Sequence, residues 1–179
     1  METDHTTAFL GLGSNLGDRA GNLLMALRGL MEASFVVHKV SAIYETEPVG
    51  IDTDAMFLNM VAEIRVANVS ASQMMARLLR IEYLLGRGDK SVKRPRTADL
   101  DILFFGDQCI DTDFVTVPHP RAHLRRFVLV PMNEVCPDFV HPTLKQTISG
   151  LLAGVEDMSY VQRWDPNREL LGAGANAQI

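Results

Sequence analysis

The sequence predicts an α+β fold laid down in the order β-α-β-β-α-β. Three observations predict it. Short β-branched or aromatic runs recur along the chain, apolar stripes at helical spacing lie between them, and glycine or proline marks the joints. The 179 residues suit a single domain over 1–179, large enough for a proper hydrophobic core.

Each element follows in order. Ala8 to Gly13 is a short apolar run punctuated by glycine and reads as a first strand. Gly17-Asp18 opens a helix whose stripe is Leu23, Leu24, Leu27, Leu30 and Met31. Phe35 to Glu45 reads as a second strand, and the Pro48- and Gly50-containing stretch 47–55 as a loop. Phe57 to Val66 is a third strand, with Leu58, Met60, Ala62 and Ile64 on one face. Ser70 is set to N-cap a helix running to Leu85, striped by Met74, Leu78, Ile81 and Leu85 and stopped by Gly86 and Gly88. Asp99 to Phe105 is a fourth strand. A hairpin-like segment from Gly106 to Val117, Pro118-His119-Pro120 and a helix around Leu124 to Val135 follow. The expectation is a ferredoxin-like β-α-β-β-α-β core with an added hairpin and C-terminal helices. The tail after about 165 has no periodicity and is expected to be mobile.

Composition excludes several function classes. A net charge of -5 argues against nucleic acid as the main partner. No apolar run reaches the roughly 18 residues of a membrane helix. The start of the chain lacks the basic and apolar regions of a signal peptide. Cys109 and Cys136 stand far apart in no paired motif, which suits a reducing compartment, and the expected location is the cytoplasm.

Against this acidic background two features stand out. Asp99 and Asp101 are two apart on a strand and share a face. Two neighbouring carboxylates repel, and a divalent cation relieves the repulsion; Mg²⁺ typically takes one or two carboxylates and completes its shell with water and phosphate oxygens. Alone, the pair reads equally well as two solvated charges at a strand entrance. Immediately before it, residues 87–96 carry Arg87, Lys90, Lys93, Arg94 and Arg96 against the single acid Asp89. Such a loop reads alone as a solvated charge run, but arginine forks and lysine charges also match phosphate oxygens. Together, loop and carboxylates form the constellation that phosphoryl-type transfer needs.

Other motifs are weaker. Gly11-Leu12-Gly13-Ser14-Asn15-Leu16-Gly17 resembles a dinucleotide fingerprint but has leucine where the third glycine belongs, and there is no Walker A motif. Its glycines read most simply as a tight strand-to-helix turn. Phe57 and Asn59 share a strand face and suit a flat heterocycle, stacked on one and hydrogen-bonded by the other; they also read as an edge aromatic and a turn-capping amide. His119 between two prolines reads first as a rigid loop element, with donation to phosphate as the alternative.

Taken together, the segments Gly11–Gly17, Ser41–Thr46, Phe57–Asn59, Arg80–Glu82 with Leu85–Arg87, Pro95–Leu103 and Thr116–His119 resemble the 6-hydroxymethyl-7,8-dihydropterin pyrophosphokinase family. They occur in family order across residues 8 to 140, and the stretch from Pro95-Arg96-Thr97 to Asp99-Leu100-Asp101 is the most specific. The resemblance implies a folate-biosynthesis transferase, and a monomer is the expected state. It would move diphosphate from ATP to the hydroxymethyl group of the pterin, releasing AMP. It implies Asp99 and Asp101 as ligands of two Mg²⁺ ions, and Arg87 and Arg96 as catalytic arginines that also grip ATP. It implies a pterin pocket of Thr46, Val49, Gly50, Phe57, Asn59 and Phe127, with the ring between Phe57 and Phe127. Further ATP contacts implied are Glu82, Lys93, Ile102, Thr116, His119 and Arg125. Where many relatives have Trp-Gly or Asn-Gly before the proline-arginine pair, this chain has Lys93-Arg94. The alternatives are another Mg-dependent nucleotide-using transferase with a planar acceptor, or a non-catalytic ligand-binding module of the same fold.

Overall fold

A computed structural model describes residues 5–50, 53–86 and 97–167. Its centre is an antiparallel sheet. Strand β1 (His5–Ser14) runs between β4 (Phe57–Ala67) and β5 (Asp99–Phe105), and β2 (Val36–Val40) and β3 (Tyr44–Thr46) both pair with the far side of β4. With β2 and β3 counted as one broken strand, this is the expected β-α-β-β-α-β core. A last short strand, β8 (Val161–Arg163), extends the sheet beyond β3, and β6 (Ile110–Asp111) and β7 (Thr116–Val117) form the expected hairpin.

Side-chain alternation sorts the sheet into two faces. Leu10 and Leu12 of β1, Leu58, Met60, Ala62 and Ile64 of β4, and Leu100 and Ile102 of β5 point to one side. There they pack on α1 (Arg19–Glu32) through Leu23, Ala26 and Leu30, and on α2 (Ala71–Leu84) through Met74, Leu78 and Ile81. Phe9, Val61, Leu103 and Phe104 point to the other side. They meet α3 (Arg126–Val135) through Val128, Leu129, Met132 and Val135, and α4 (Ile148–Gly154) through Ile148 and Leu151. The result is three layers, helix pair on sheet on helix pair.

Local chemistry sets the boundaries. Asp18 caps α1 by accepting the Gly21 N–H at 2.9 Å. Ser70 caps α2 in a reciprocal box: its hydroxyl accepts the Gln73 N–H, and the Gln73 side chain accepts the Ser70 N–H. The second strand expected over Phe35 to Glu45 is broken. The Ser41 hydroxyl accepts the Val61 N–H at 2.9 Å, standing in for a backbone acceptor, and β2 and β3 pair with β4 on shifted registers either side of it. The third helix begins at Arg126, not Leu124: Ala122–Leu124 form a separate 3₁₀ turn, and Arg125 between them is extended. The sequence reading had neither α4 as a distinct element nor β8. The tail expected to be mobile falls, from 168 on, outside the described residues.

Candidate active site

On the α3 side the sheet carries a cleft of about 280 Å³. Its floor is the glycine pair of β1. In register, Gly13 stands between Asn59 of β4 and Asp99 of β5, and Gly11 between Val61 and Asp101. All these positions face the same way, so two bare backbone sites separate Asn59 from the carboxylates. A Cβ on Gly13 would lie 2.6 Å from Asn59 Oδ1, and one on Gly11 would touch Leu103 at 3.4 Å. This corrects the reading of the glycine run as a turn. Gly11 and Gly13 are paired strand residues that leave room for a cavity, and the turn conformation belongs to Gly17, at φ +64°.

One end of the cleft is apolar and amide-lined. Phe57 and Asn59 come from β4, Thr46 from the end of β3, Glu47, Val49 and Gly50 from the segment after it, and Phe127 from the first turn of α3. Asn59 Nδ2 donates to Thr46 Oγ1 at 2.7 Å, which fixes the amide plane beside Phe57. The other end is charged. Asp99 and Asp101 enter it from β5, His119 and Arg121 from the segment before the 3₁₀ turn, and Arg125 from the residue preceding α3.

The charged end is electrostatically coupled. Burial lowers the Arg125 pKa and neighbouring Arg121 lowers it further, while Asp101, Asp99 and Asp157 pull it back up. Its guanidinium lies 5.4 Å from the centroid of the Phe127 ring, joining the charged end to the aromatic one. Burial, with Arg125 and Arg121 close by, lowers the His119 pKa to about 4, so the imidazole is neutral at pH 7. His119 Nδ1 accepts the Arg121 N–H at 3.1 Å, which leaves the ring proton on Nε2. His119 is therefore a neutral donor held beside two cations.

The carboxylates fit a phosphate-bridged cation better than a closed protein cage. Asp99 and Asp101 sit about 6.6 Å apart along the strand by its rise, and among the described residues no group of three or more His, Cys, Asp or Glu could enclose a metal. Two carboxylates on an open cleft with arginines opposite are the donor set that Mg²⁺ uses when a nucleotide supplies the remaining oxygens.

Of the residues expected from sequence, Thr46, Val49, Gly50, Phe57, Asn59, Asp99, Asp101, His119, Arg125 and Phe127 line this one cleft. Three do not. Glu82 is 1% exposed, and its Oε1 accepts the Leu100 N–H at 2.7 Å, anchoring β5 between the two aspartates. The Ile102 side chain packs on the opposite face with α1 and α2. Thr116 hydrogen-bonds Asp111 within the hairpin. Arg87, Lys93 and Arg96 lie outside the described residues, as does the rest of the basic loop. The sequence reading missed Arg121 and Glu47. A signal for Arg121 existed: it opens a second basic cluster, Arg121, Arg125 and Arg126, directly after His119. A larger cavity, about 510 Å³ between α1 and α2, shares no lining residue with the cleft.

Comparison with known proteins converges on one family. A family model described as 7,8-dihydro-6-hydroxymethylpterin-pyrophosphokinase matches residues 9–137. The chain is 45% identical over 130 residues to the 2-amino-4-hydroxy-6-hydroxymethyldihydropteridine pyrophosphokinase of Bacillus subtilis, covering 72% of this chain and 77% of that one. It is 32% identical over 142 residues to the protein of that name from Aquifex aeolicus, covering 79% and 88%. Among solved structures, HPPK-DHPS of Plasmodium falciparum superposes with a TM-score of 0.67 at 17% identity. That match covers 85% of this chain but only 46% of the longer one, and shows the shared fold.

Proposed function

Because the chain belongs to the 7,8-dihydro-6-hydroxymethylpterin-pyrophosphokinase family, we propose that it transfers diphosphate from ATP to 6-hydroxymethyl-7,8-dihydropterin, giving AMP and the pterin diphosphate for folate synthesis. The observation that carries the reading is the two-ended cleft, aromatic and amide groups at one end and paired carboxylates facing arginines at the other, on a glycine floor.

The pterin ring lies between Phe57 and Phe127, with its polar edge toward Asn59 and Thr46 and with Val49 and Gly50 closing the side. Stacking supplies affinity and the fixed amide supplies orientation. The hydroxymethyl group then points along the glycine floor toward Asp99 and Asp101. Those two carboxylates would hold two Mg²⁺ ions, which when bound would neutralise and align the phosphate oxygens. Arg125 and Arg121 reach the phosphates from the opposite wall, and His119 adds a neutral Nε2–H donor that needs no proton change at pH 7. The pterin hydroxyl oxygen bonds to the β-phosphorus as the bond from that phosphorus to the α-phosphate oxygen breaks, the hydroxyl proton passes to solvent, and AMP leaves. Arginines set around the phosphates favour the charge that builds on the leaving oxygens. Arg87, Lys93 and Arg96 of the basic loop complete the phosphate grip in this reading. Glu82 serves it from behind, by fixing β5.

Both cysteines are free, which suits work in a reducing compartment such as the cytoplasm. The test is AMP formation from ATP and 6-hydroxymethyl-7,8-dihydropterin, with Mg²⁺ and then with chelator. AMP is expected only when both pterin and metal are present. Pterin bound without AMP release would overturn the reading.

A further inference from the structure

The two walls that hold the acceptor are tied together from outside the cleft by one short run, residues 157–161. At one end, Asp157 Oδ2 accepts the backbone N–H of Arg126 at 2.7 Å. Arg126 is the first residue of α3, and its N-cap, Arg125, makes no side-chain capping bond. Asp157 thus supplies from a distance the acceptor that the helix start lacks locally. The other carboxylate oxygen accepts the Ser159 N–H at 2.9 Å, which holds the carboxylate in place. At the far end, the Tyr160 N–H donates to Glu47 Oε1 at 2.9 Å, and the Tyr160 carbonyl accepts the Glu47 N–H at 3.3 Å. Val161 then pairs with Thr46. Burial tends to raise the Asp157 pKa, but the N–H groups of Arg126 and Ser159 hold it below the ordinary carboxylate range, so the cap is ionised at pH 7.

The wall carrying Phe127 and the wall carrying Thr46 and Glu47 are therefore joined through four peptide units, about 13 Å of fully extended chain. Arg125 and Phe127 flank the capped N–H by one residue each. A shift at the start of α3 moves the stacking ring and a phosphate-facing guanidinium together.

We propose that Asp157 is a positioning residue for acceptor binding: by capping α3 from the 157–161 run, it sets the spacing between Phe127 and the Thr46–Asn59 wall. The proposal rests on the reading of the aromatic end as the acceptor slot. Asp157 touches neither substrate and acts through Arg126.

The experiment compares wild type, Asp157→Ala and Asp157→Asn in two ways. Steady-state AMP formation is measured with pterin and ATP varied separately, and amide exchange is followed along α3. Asp157→Ala should raise KM for the pterin about tenfold, the scale of a lost cap, and change kcat and KM for ATP less, because Phe127 stacks on the pterin directly whereas Arg125 shares the phosphates with Arg121 and His119. The Arg126 amide should exchange about tenfold faster, while Leu129 one turn on changes little. Asp157→Asn keeps one acceptor oxygen for two N–H donors and should fall between; it also serves if the alanine variant folds poorly. Unchanged exchange at Arg126, or KM values for both substrates raised equally, would overturn the proposal. A wild-type protein making no AMP from the pterin would strike the acceptor reading instead, and the exchange measurement would still judge the cap.

Discussion

Glycine inside a strand weakens it, yet β1, a strand with partners on both sides, carries two on one face. The cleft explains them: any side chain at position 13 competes with Asn59 for the same space. Gly13→Ala should therefore leave a folded protein with pterin affinity reduced about tenfold or more, because the amide is pushed off its Thr46 contact. Calorimetric titration with a pterin analogue checks this. At the carboxylates, Asp99→Ala or Asp101→Ala should cut AMP turnover by roughly 10²–10³-fold while pterin binding stays measurable. A near-normal rate in either would remove these residues from the chemistry. The aspartate pair was legible in sequence because strand alternation is strict: residues two apart share a face whatever the strand's partners. The glycines were not, since a glycine run next to a helix start looks like a turn until the register reveals what stands across from it. Glu82 shows the reverse case. A conspicuous acid beside a motif turned out to serve the backbone of β5, because a buried carboxylate needs an N–H donor and Leu100 offers one.

Elements were most readable where their signals were local. Ser70 made the α2 start visible, and the structure adds the other half of a capping box through Gln73. Ser70→Ala should lower stability by about 1 kcal/mol in urea denaturation, with substrate KM values unchanged, since the cap lies at the opposite end of α2 from β5's aspartates. The expected second strand was less well read, because its interruption depends on a Ser41 hydroxyl reaching a strand distant in sequence. The start of α3 was misjudged for a similar reason. Arginine is an ordinary helix former, and only Asp157, 31 residues downstream of Arg126, marks where the helix begins. The strand β8, with just three residues and an exposed, polar composition, has no period of its own to detect; pairing with β3 makes it a strand.

At the scale of the molecule, the three layers divide labour. On the side holding α1 and α2 the sheet face is covered by core, whereas the α3 side shares its sheet face between core and cleft. Ionisable groups under that face set the acid response. Burial, with cationic neighbours, lowers the His119 pKa to about 4, and burial near His123 lowers that of His141. For each, the unfolded chain takes up a proton near pH 6.5 and the folded protein only at lower pH. Their stabilising contribution is complete above about pH 6.5 and is lost as the pH falls toward the folded pKa. Asp157, whose pKa is depressed, adds a loss of its own only at lower pH, below the ordinary carboxylate value. Denaturant midpoints of the unliganded protein should thus fall between pH 7.5 and 5. His141→Gln should flatten part of that fall, and a midpoint constant across this range would contradict the assignment.

The chain order of the sheet has a consequence for biosynthesis. Strand β1 is made first but has no sheet neighbour until β4 appears more than forty residues later, and its second neighbour, β5, comes later still. The run that ties both walls of the cleft lies beyond α4, near the end of the described chain. A ribosome-bound fragment ending before residue 157 would hold every aromatic and carboxylate of the cleft, with the start of α3 uncapped and the outer edge of β3 bare. Full grip on the acceptor is then gained only after helices α1 to α4 and strands β1 to β7 have been made, and a growing chain holds pterin weakly until the 157–161 run has emerged.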